Sequence, residues 1–598
     1  MNKRVLTVKL LSSLLVMGGL AVTGCTDNDY DVNEIDTTIG IGGDGLELPA
    51  SSTSDIQLKD VLELEANGVV VEDAETHNYV FRQAGNDVAA VHPYINTITL
   101  ANKGSNNHKI TLSLASAARG SRAAGNVLQG EGDIYTFEYD GSKPSEVLSL
   151  VSADATGSLV LSIKLQQIES VVQQIDKLTL AFPSYMKVEA VAPTSHAVGN
   201  LSVNGNVVTL QDVSTSENLV LGFDITGIDF TKADEMGKAA IVSTSIGDKV
   251  QIDGKVKLAL STTHYNLANA SSHSLDLDNT LTMDDIVITG ATGKFNPHIS
   301  LYNLGSVHIV GVPDFLKDGN VVADLYNPVI KLDIQSDLGI EGKIGGQLIA
   351  VKDGRETARV TVPEFTVNPI SVNEGSSSVY ICRTAEGLQL PVGAEAVPVS
   401  NLSDLIKTIP DVIRFECDAH ANTDKEGTFQ LGHQYGIKPA YSIDAPLAFG
   451  EDAVIEYSDV FDGWNKDIED YKLAKDAKVV LTANVVNGVP AYLTVEASAI
   501  DVSGNDIPAS ELEVKVEGEI AASTDGVTPV TSPLTITISQ KDEEAFKKLD
   551  GIRFSVKGKA KGEDGTVVKG YTLNAQKHTL KLSDIKIKLT GKFIYDFN

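Results

Sequence analysis

The sequence is poor in the residues that usually advertise chemistry. Among 598 residues there are three cysteines, one tryptophan and 6% aromatics. The cysteines stand at 25, 382 and 417, so no C-x-x-C pair exists. None of the eleven histidines falls in an H-E-x-x-H or H-x-H spacing. The strong zinc signals are therefore missing, and no metal or other cofactor is expected from motifs. A G-x-S-x-G nucleophile elbow and a G-x-x-x-x-G-K-[ST] phosphate loop are missing too. Few aromatics means few flat platforms of the kind glycan binders display. Positive charge is also scarce: 48 Lys and Arg stand against 80 Asp and Glu, a net charge of −32. Such a surface repels phosphate backbones and anionic headgroups, which argues against nucleic acid and against electrostatic lipid binding. Divalent cations, basic proteins and neutral glycans remain as partners.

Long apolar runs are missing everywhere except near the start. Met1-Asn2-Lys3-Arg4 and Lys9 precede an apolar stretch from Leu10 to Val22, broken by Ser12, Ser13 and two glycines. A basic start and a short apolar run form the layout of an export signal. The run is shorter than the roughly 20 residues of a bilayer span. It ends Val22-Thr23-Gly24-Cys25. Small residues suit a narrow peptidase groove, and the cysteine offers a thiol for acylation. The pattern resembles a bacterial lipobox, which implies removal of residues 1–24 and a lipid on Cys25. A plain secretory signal with a chance cysteine is the alternative. Thr26-Asp27-Asn28-Asp29-Tyr30-Asp31 follows. Acidic residues at Asp27, Asp29 and Asp31 resemble the surface-export signal of Bacteroidales lipoproteins. That implies a lipid-anchored place on the outer face of the outer membrane; a solvated tether with no sorting role is the other reading.

What the chain does have is period-two alternation. Hydrophobic residues make up 42%, too many for general disorder. Lys109-Ile110-Thr111-Leu112-Ser113-Leu114, Lys177-Leu178-Thr179-Leu180-Ala181-Phe182 and Lys586-Ile587-Lys588-Leu589 are typical. Alternation puts apolar side chains on one sheet face. Asn67-Gly68, Asn204-Gly205, Asp318-Gly319 and Asp564-Gly565 supply hairpin turns between such runs. Helical patterns are limited to Leu402–Ile409 and Glu543–Leu549. The expected fold is all-β: tandem antiparallel β-sandwich domains with a few short helices. The expected divisions are a signal at 1–24, a flexible acidic tether at 25–50, a β domain at 51–165, and sandwich modules at 166–296, 297–400 and 401–598. Gly40-Ile41-Gly42-Gly43-Asp44-Gly45 has dinucleotide-loop spacing, but no helical pattern follows it, and the motif needs one.

Internal similarity supports the modules. Leu281–Phe295 parallels Leu580–Phe593, aligning Asp285 with Asp584 and Gly293-Lys294-Phe295 with Gly591-Lys592-Phe593. Upstream, Val250–Lys257 resembles Phe554–Lys561. Residues 166–296 and 401–598 therefore read as two related units. The order of segments Asp31–Thr38, Leu46–Pro49, Ile56–Leu62, Tyr79–Phe81, Leu549–Phe554 and Ile585–Lys588 resembles a group of large Bacteroidales surface lipoproteins with no assigned activity. The resemblance implies a tandem β ectodomain at the cell surface and carries over no site residue.

Candidate sites are few. Tyr457–Tyr471 is the one stretch dense in aromatics and acids. Trp464, Tyr457, Asp462 and Tyr471 are its best candidates for a glycan contact, because sugars stack on rings while carboxylates take their hydroxyls. The competing reading is a plug closing one end of a sandwich. Cys382 and Cys417 could pair in an exported protein, or simply be small buried apolar residues. Asp501-Val502-Ser503-Gly504-Asn505-Asp506 has alternating oxygen ligands that would suit a bound calcium ion; it lacks the distal glutamate, and a hairpin turn reads better. His264 and His273, and the acids Asp276, Asp278, Asp284 and Asp285, read as solvated loops and edges. The expected function is a surface-anchored non-catalytic lipoprotein for binding, adhesion or assembly with an outer-membrane partner. A glycan hydrolase with loop carboxylates and a carrier of apolar ligands are the alternatives.

Overall fold

The computed structural model describes residues 38–595, apart from 50–51, 63, 65–67, 86–87, 115–126, 192–199, 267–273, 302, 314–315, 317–320, 369–376, 469–470, 474, 476 and 543–544. Cys25, Asp27, Asp29 and Asp31 lie outside the described residues. The alternating segments form strands with the expected faces. In Lys109–Leu114, Ile110 and Leu112 are buried, while Lys109, Thr111 and Ser113 are exposed. In Gln174–Ala181, Ile175, Leu178 and Leu180 point inward. Asn204-Gly205 closes a tight hairpin between Asn200–Asn204 and Val207–Ser214, with Gly205 at φ 63°, a backbone setting that glycine adopts without strain. The two helical patterns shrink to single turns, Asp404–Lys407 with Leu405 and Ile406 buried and a 3-10 turn at Phe546–Lys548.

Between residues 98 and 295 the strands close on themselves. Ile98–Asn102 pairs with Leu128–Ser142, which pairs with Lys109–Leu114, then Ser274–Met283, Ser158–Ile163 and Leu219–Asp229. Val147–Thr156 and Ile286–Phe295 complete the circuit back to Ile98–Asn102, every pairing antiparallel. Two strands change layer part-way. Ser274–Met283 pairs with one layer through Ser274–Asp278 and with the other through Asn279–Met283. Ile98–Asn102 does the same at Leu100/Ala101. The result is a sandwich joined along both sides, the way strands make corners in orthogonal packings. A ring of about eight strands leaves an interior that side chains can fill. Leu112, Leu161, Leu221, Leu277 and Ile288 are fully buried. Each buried aliphatic side chain of this kind contributes roughly 1.5–3 kcal/mol.

Outside the ring two pairs of sheets follow. A six-stranded sheet orders Glu395–Pro398, Ser377–Cys382, Val329–Ser336, Ile437–Pro446, Tyr79–Ala84 and Val70–Glu72; a four-stranded sheet orders Asn303–His308, Val412–Ala421, Gly342–Lys352 and Arg355–Val367. The Ser377–Cys382 and Glu395–Pro398 pairing is parallel. The ring is coupled to this region through Gly427–Gln430, which pairs with Ile286–Phe295. Phe295, Phe429 and Tyr435 pack there with tilted rings, their centroids 5.4 and 4.7 Å apart. Near the C-terminus, Val454–Phe461, Gly551–Lys559 and Tyr492–Ile500 form a three-stranded sheet. The sheet around Lys478–Asn487, Leu512–Glu517, Val530–Gln540 and Thr579–Tyr595 packs against it.

The structure corrects the expected organisation in three places. The tether does not extend to residue 50: Thr38–Pro49 is a strand antiparallel to Thr579–Tyr595, in register from Thr38 with Ile594 to Pro49 with Lys586. The nucleotide-like glycines lie within this strand, and its register shifts between Ile41 and Leu46. The divisions at 165 and 400 cut through paired strands. Ser158–Ile163 pairs with Leu219–Asp229, and Tyr79–Ala84 pairs with Ile437–Pro446. Pairing over such distances leaves no local mark in a sequence. The internal similarity, finally, does not extend to topology. Asp284 and Asp285 link two strands of the ring, whereas Asp584 sits at φ 51° inside one continuous strand.

Candidate functional site

The 457–471 stretch is organised by Asp550, which sequence reasoning passed over. Its carboxylate accepts the Gly463 and Asn465 amides at 3.2 and 3.0 Å, and its carbonyl accepts the Trp464 amide at 2.8 Å. Gly463 takes φ 89°, which turns the chain and sends Trp464 inward. The indole is 3% exposed and packs among Ile507, Leu512, Phe546, Leu549 and Ile552. It offers no face to a sugar; it closes the end of the C-terminal sandwich. Tyr457 lies on an edge strand and donates its hydroxyl to Asp459 at 3.4 Å, while Asp462 is exposed. Tyr471 belongs to Tyr471–Leu473, paired with the last strand, and its side chain lies outside the described ones. The candidates are therefore not gathered into one platform. The only local signal for Asp550 was its Asp-Gly pair, which marks a turn and nothing more.

The cysteines are not bridged. Cys382 and Cys417 are both free and buried, in the six-stranded and four-stranded sheets respectively. Cys417 donates its thiol to the Leu301 carbonyl at 2.8 Å, and burial pushes its pKa up to about 11. The calcium-like loop is a hairpin turn. Asp501 accepts the Ser503 and Asn505 amides at 2.9 and 3.0 Å. Asp506 is taken by the Arg553 guanidinium and by Ser498 Oγ. With both carboxylates occupied by donors, the loop presents no ligand set. Among the described residues no cluster of three or more His, Cys, Asp or Glu is arranged to hold a metal. His264 Nδ1 lies 2.5 Å from Asp176, which also accepts the Thr263 amide and hydroxyl; His273 lies outside the described residues. Asp276 takes the Thr111 hydroxyl, Asp278 faces Lys164 at 3.7 Å, and Asp285 accepts the Asn102 amide, so the acids around 276–285 serve as edge contacts.

An opening of about 540 Å³ has ligand-scale volume. It is shallow and polar, where Leu128–Ser142, Gly237–Thr244 and Gly247–Thr262 meet. Its walls include Lys103, Glu138, Asp234, Lys238, Asp253 and Lys255. Two of these charges are paired with acids beside the opening: Lys103 Nζ is 2.6 Å from Asp140, and Lys255 Nζ is 3.0 Å from Asp133. Burial works to raise the Asp234 pKa. Hydrogen bonds from Ser184, Met236 and Gly237 outweigh it and hold the carboxyl below its usual range. Wherever a carboxyl is displaced among the described residues, the direction is downward, as at Asp140, Asp229, Glu356 and Asp525. A second cavity, about 50 Å³, is apolar and lies between Ile299, Leu301, Ile334, Leu338, Ile344 and Val367. That is far below the roughly 300–1,000 Å³ of a ligand pocket, and the carrier reading gains nothing from it. Among the described residues no helix is long and apolar enough to cross a membrane.

No protein-family model and no curated protein matches the chain. Among solved structures it is similar to a protein of Parabacteroides distasonis ATCC 8503 described as secreted. That match has 15% identity and a TM-score of 0.34, over 50% of this chain and 88% of the other. A looser likeness joins it to tripeptidyl peptidase 2, with 8% identity and a TM-score of 0.13, over 81% of this chain and 37% of that one. Neither likeness carries an argument about fold or activity.

Proposed function

We propose that this chain is a surface-anchored, non-catalytic lipoprotein of the outer membrane that assembles with or binds a partner at the cell surface. The observation that carries the reading is the run Leu10–Cys25 with the acids Asp27, Asp29 and Asp31 behind it. The architecture supports it in two ways. The opening beside Asp234 is wide and polar, and Lys103 and Lys255 on its walls are ion-paired, which suits contact through surfaces. Thr38 is already paired with the last strand, so Cys25 lies at most about 45 Å from the folded body even with the intervening chain fully extended. A body held this close to the bilayer favours neighbours in the same membrane over distant ligands.

The test is threefold. Mass spectrometry of the N-terminal peptide should find Cys25 acylated and residues 1–24 gone; an intact Met1 or a free thiol at 25 would overturn the anchor. External protease on intact cells should cleave the wild type. It should cleave much less of the Asp27→Ala/Asp29→Ala/Asp31→Ala variant; equal cleavage would remove the sorting role. Crosslinking on intact cells followed by capture should return outer-membrane proteins in stoichiometric yield, and a chain recovered alone would count against assembly.

A further inference from the structure

Three stretches that are distant in sequence meet at one buried histidine. His578 is 3% exposed and immediately precedes the final strand. Its Nδ1 accepts the Asn574 backbone N–H at 3.0 Å, and its Nε2–H donates to the Gly526 carbonyl at 3.2 Å. One nitrogen faces a donor and the other an acceptor, so the hydrogen-bond network assigns a neutral ring protonated at Nε2. Asn574 extends the junction. Its Nδ2 donates to the Thr76 carbonyl and to Asn78 Oδ1, both at 2.9 Å, and its Oδ1 accepts the Gln576 and Lys577 amides. Backbone bonds complete it: Leu58 N–H to the His578 carbonyl, Lys59 N–H to the Ala575 carbonyl, and Ala575 N–H to the His77 carbonyl.

We propose that His578 is an acid-sensitive clasp: it fastens the 56–62 and 72–79 stretches and the 523–528 loop onto the start of the last strand, and releases them when the imidazole takes up a second proton. A proton on Nδ1 would set two N–H groups against each other and abolish the acceptor for Asn574. It would also place a charge where water is excluded, which is costly without a new partner. Burial lowers the ring's pKa and Lys577 lowers it further, while the bond to Gly526 acts in the opposite direction.

Among the described residues, the elements packed around the ring offer little compensation. On the 523–528 loop the acid is Asp525, whose oxygens already accept Ser523 Oγ–H, the Val527 and Thr528 amides and Thr528 Oγ–H. Among the described residues of 56–62 and 72–79 stand Lys59, Asp60, Glu72, Asp73, Glu75 and His77. Asp73 is taken by Glu75 and Thr76. Glu72 is taken by His77 at 2.7 Å, at the surface. On the final strand Lys581 faces Asp55 at 3.5 Å.

The direction follows from linkage. With the folded pKa below the unfolded value of about 6.5, both states are neutral above that pH and the clasp is closed. Below it the open form takes the proton first. The closed-to-open ratio then falls by at most about tenfold per pH unit until the folded pKa is reached.

Hydrogen exchange followed by mass spectrometry on the full chain, between pH 7.5 and 5 and corrected for intrinsic rates, reads this directly. Peptides covering 56–62, 72–79, 523–528 and 572–578 should lose protection as pH falls below 6.5, while 158–163 in the ring stays unchanged. His578→Asn keeps an acceptor near the Nδ1 position without the capacity to charge, and should remove the pH dependence. A flat wild-type profile, or the same pH dependence in His578→Asn, would overturn the clasp. If that variant does not fold, the imidazole resonance of His578 in the wild type decides: titration below 6.5 together with the loss of protection supports the clasp, and titration at or above 6.5 sinks it.

Discussion

Replacing Trp464 with alanine separates a structural plug from a ligand platform. A buried tryptophan removes roughly 150–250 Å² from water, worth about 4–6 kcal/mol at ~25 cal/mol per Å². Residual compactness of the unfolded chain trims that by about 10–40%. The ring is 3% exposed and is enclosed by Ile507, Leu512, Phe546, Leu549 and Ile552, so the space it leaves is walled by strand and turn residues on several sides. The expected loss for Trp464→Ala is about 3–5 kcal/mol, confined to the C-terminal sandwich. Urea unfolding followed by circular dichroism should show an early transition absent from the wild type, and exchange at 545–552 should accelerate. Trp464→Phe should recover part of the loss. Because this is the only tryptophan, wild-type fluorescence should be blue-shifted and shielded from acrylamide. A variant whose stability lies within about 0.5 kcal/mol of wild type, yet which no longer captures a glycan, would refute the reasoning and restore the platform.

Three further outcomes are expected. Denaturing the mature protein without reductant should expose two reactive thiols, Cys382 and Cys417, and native protein should expose none; a total of zero after denaturation would mean the bridge forms. Asp525 is held well below the usual carboxylate range by the Thr528 amide and hydroxyl and the Val527 amide, with a small opposing effect of burial. Its stabilisation is therefore present above the unfolded pKa and lost as pH falls through the folded one. The gap in urea midpoint between wild type and Asp525→Asn should be constant above about pH 5 and shrink in stronger acid; a gap that widens in acid would contradict the geometry. Strand Thr38–Pro49, laddered to Thr579–Tyr595, should show slowed amide exchange at Leu46–Leu48, and free-chain rates there would return these residues to the tether.

Much of the secondary structure was legible in local pattern, because a strand with one dry face must alternate. Ile110 and Leu112 against Thr111 and Ser113 show this directly, as does the turn at Asn204-Gly205. Trp464 was legible only as a choice between inside and outside. The deciding contacts come from Asp550, some 85 residues away in sequence, and from Phe546 and Ile552 beyond the intervening strands. Asp501 to Asp506 illustrates the same limit: alternate oxygens are common to metal loops and hairpin turns, and Arg553 on another strand decides between them.

By itself the sequence determined that the chain is β-rich, acidic and free of the spaced ligand motifs of zinc sites, since each of these depends on composition or on residues within a few positions of one another. Only the tertiary structure decided that the strands of 98–295 close into a ring, that Thr38–Pro49 joins the last strand, that the cysteines stay apart and that His578 ties three distant stretches together. The reason is physical. Alternation specifies which face of a strand is dry, but the choice of neighbour is made by complementary packing between segments up to several hundred residues apart, and no local window contains that information.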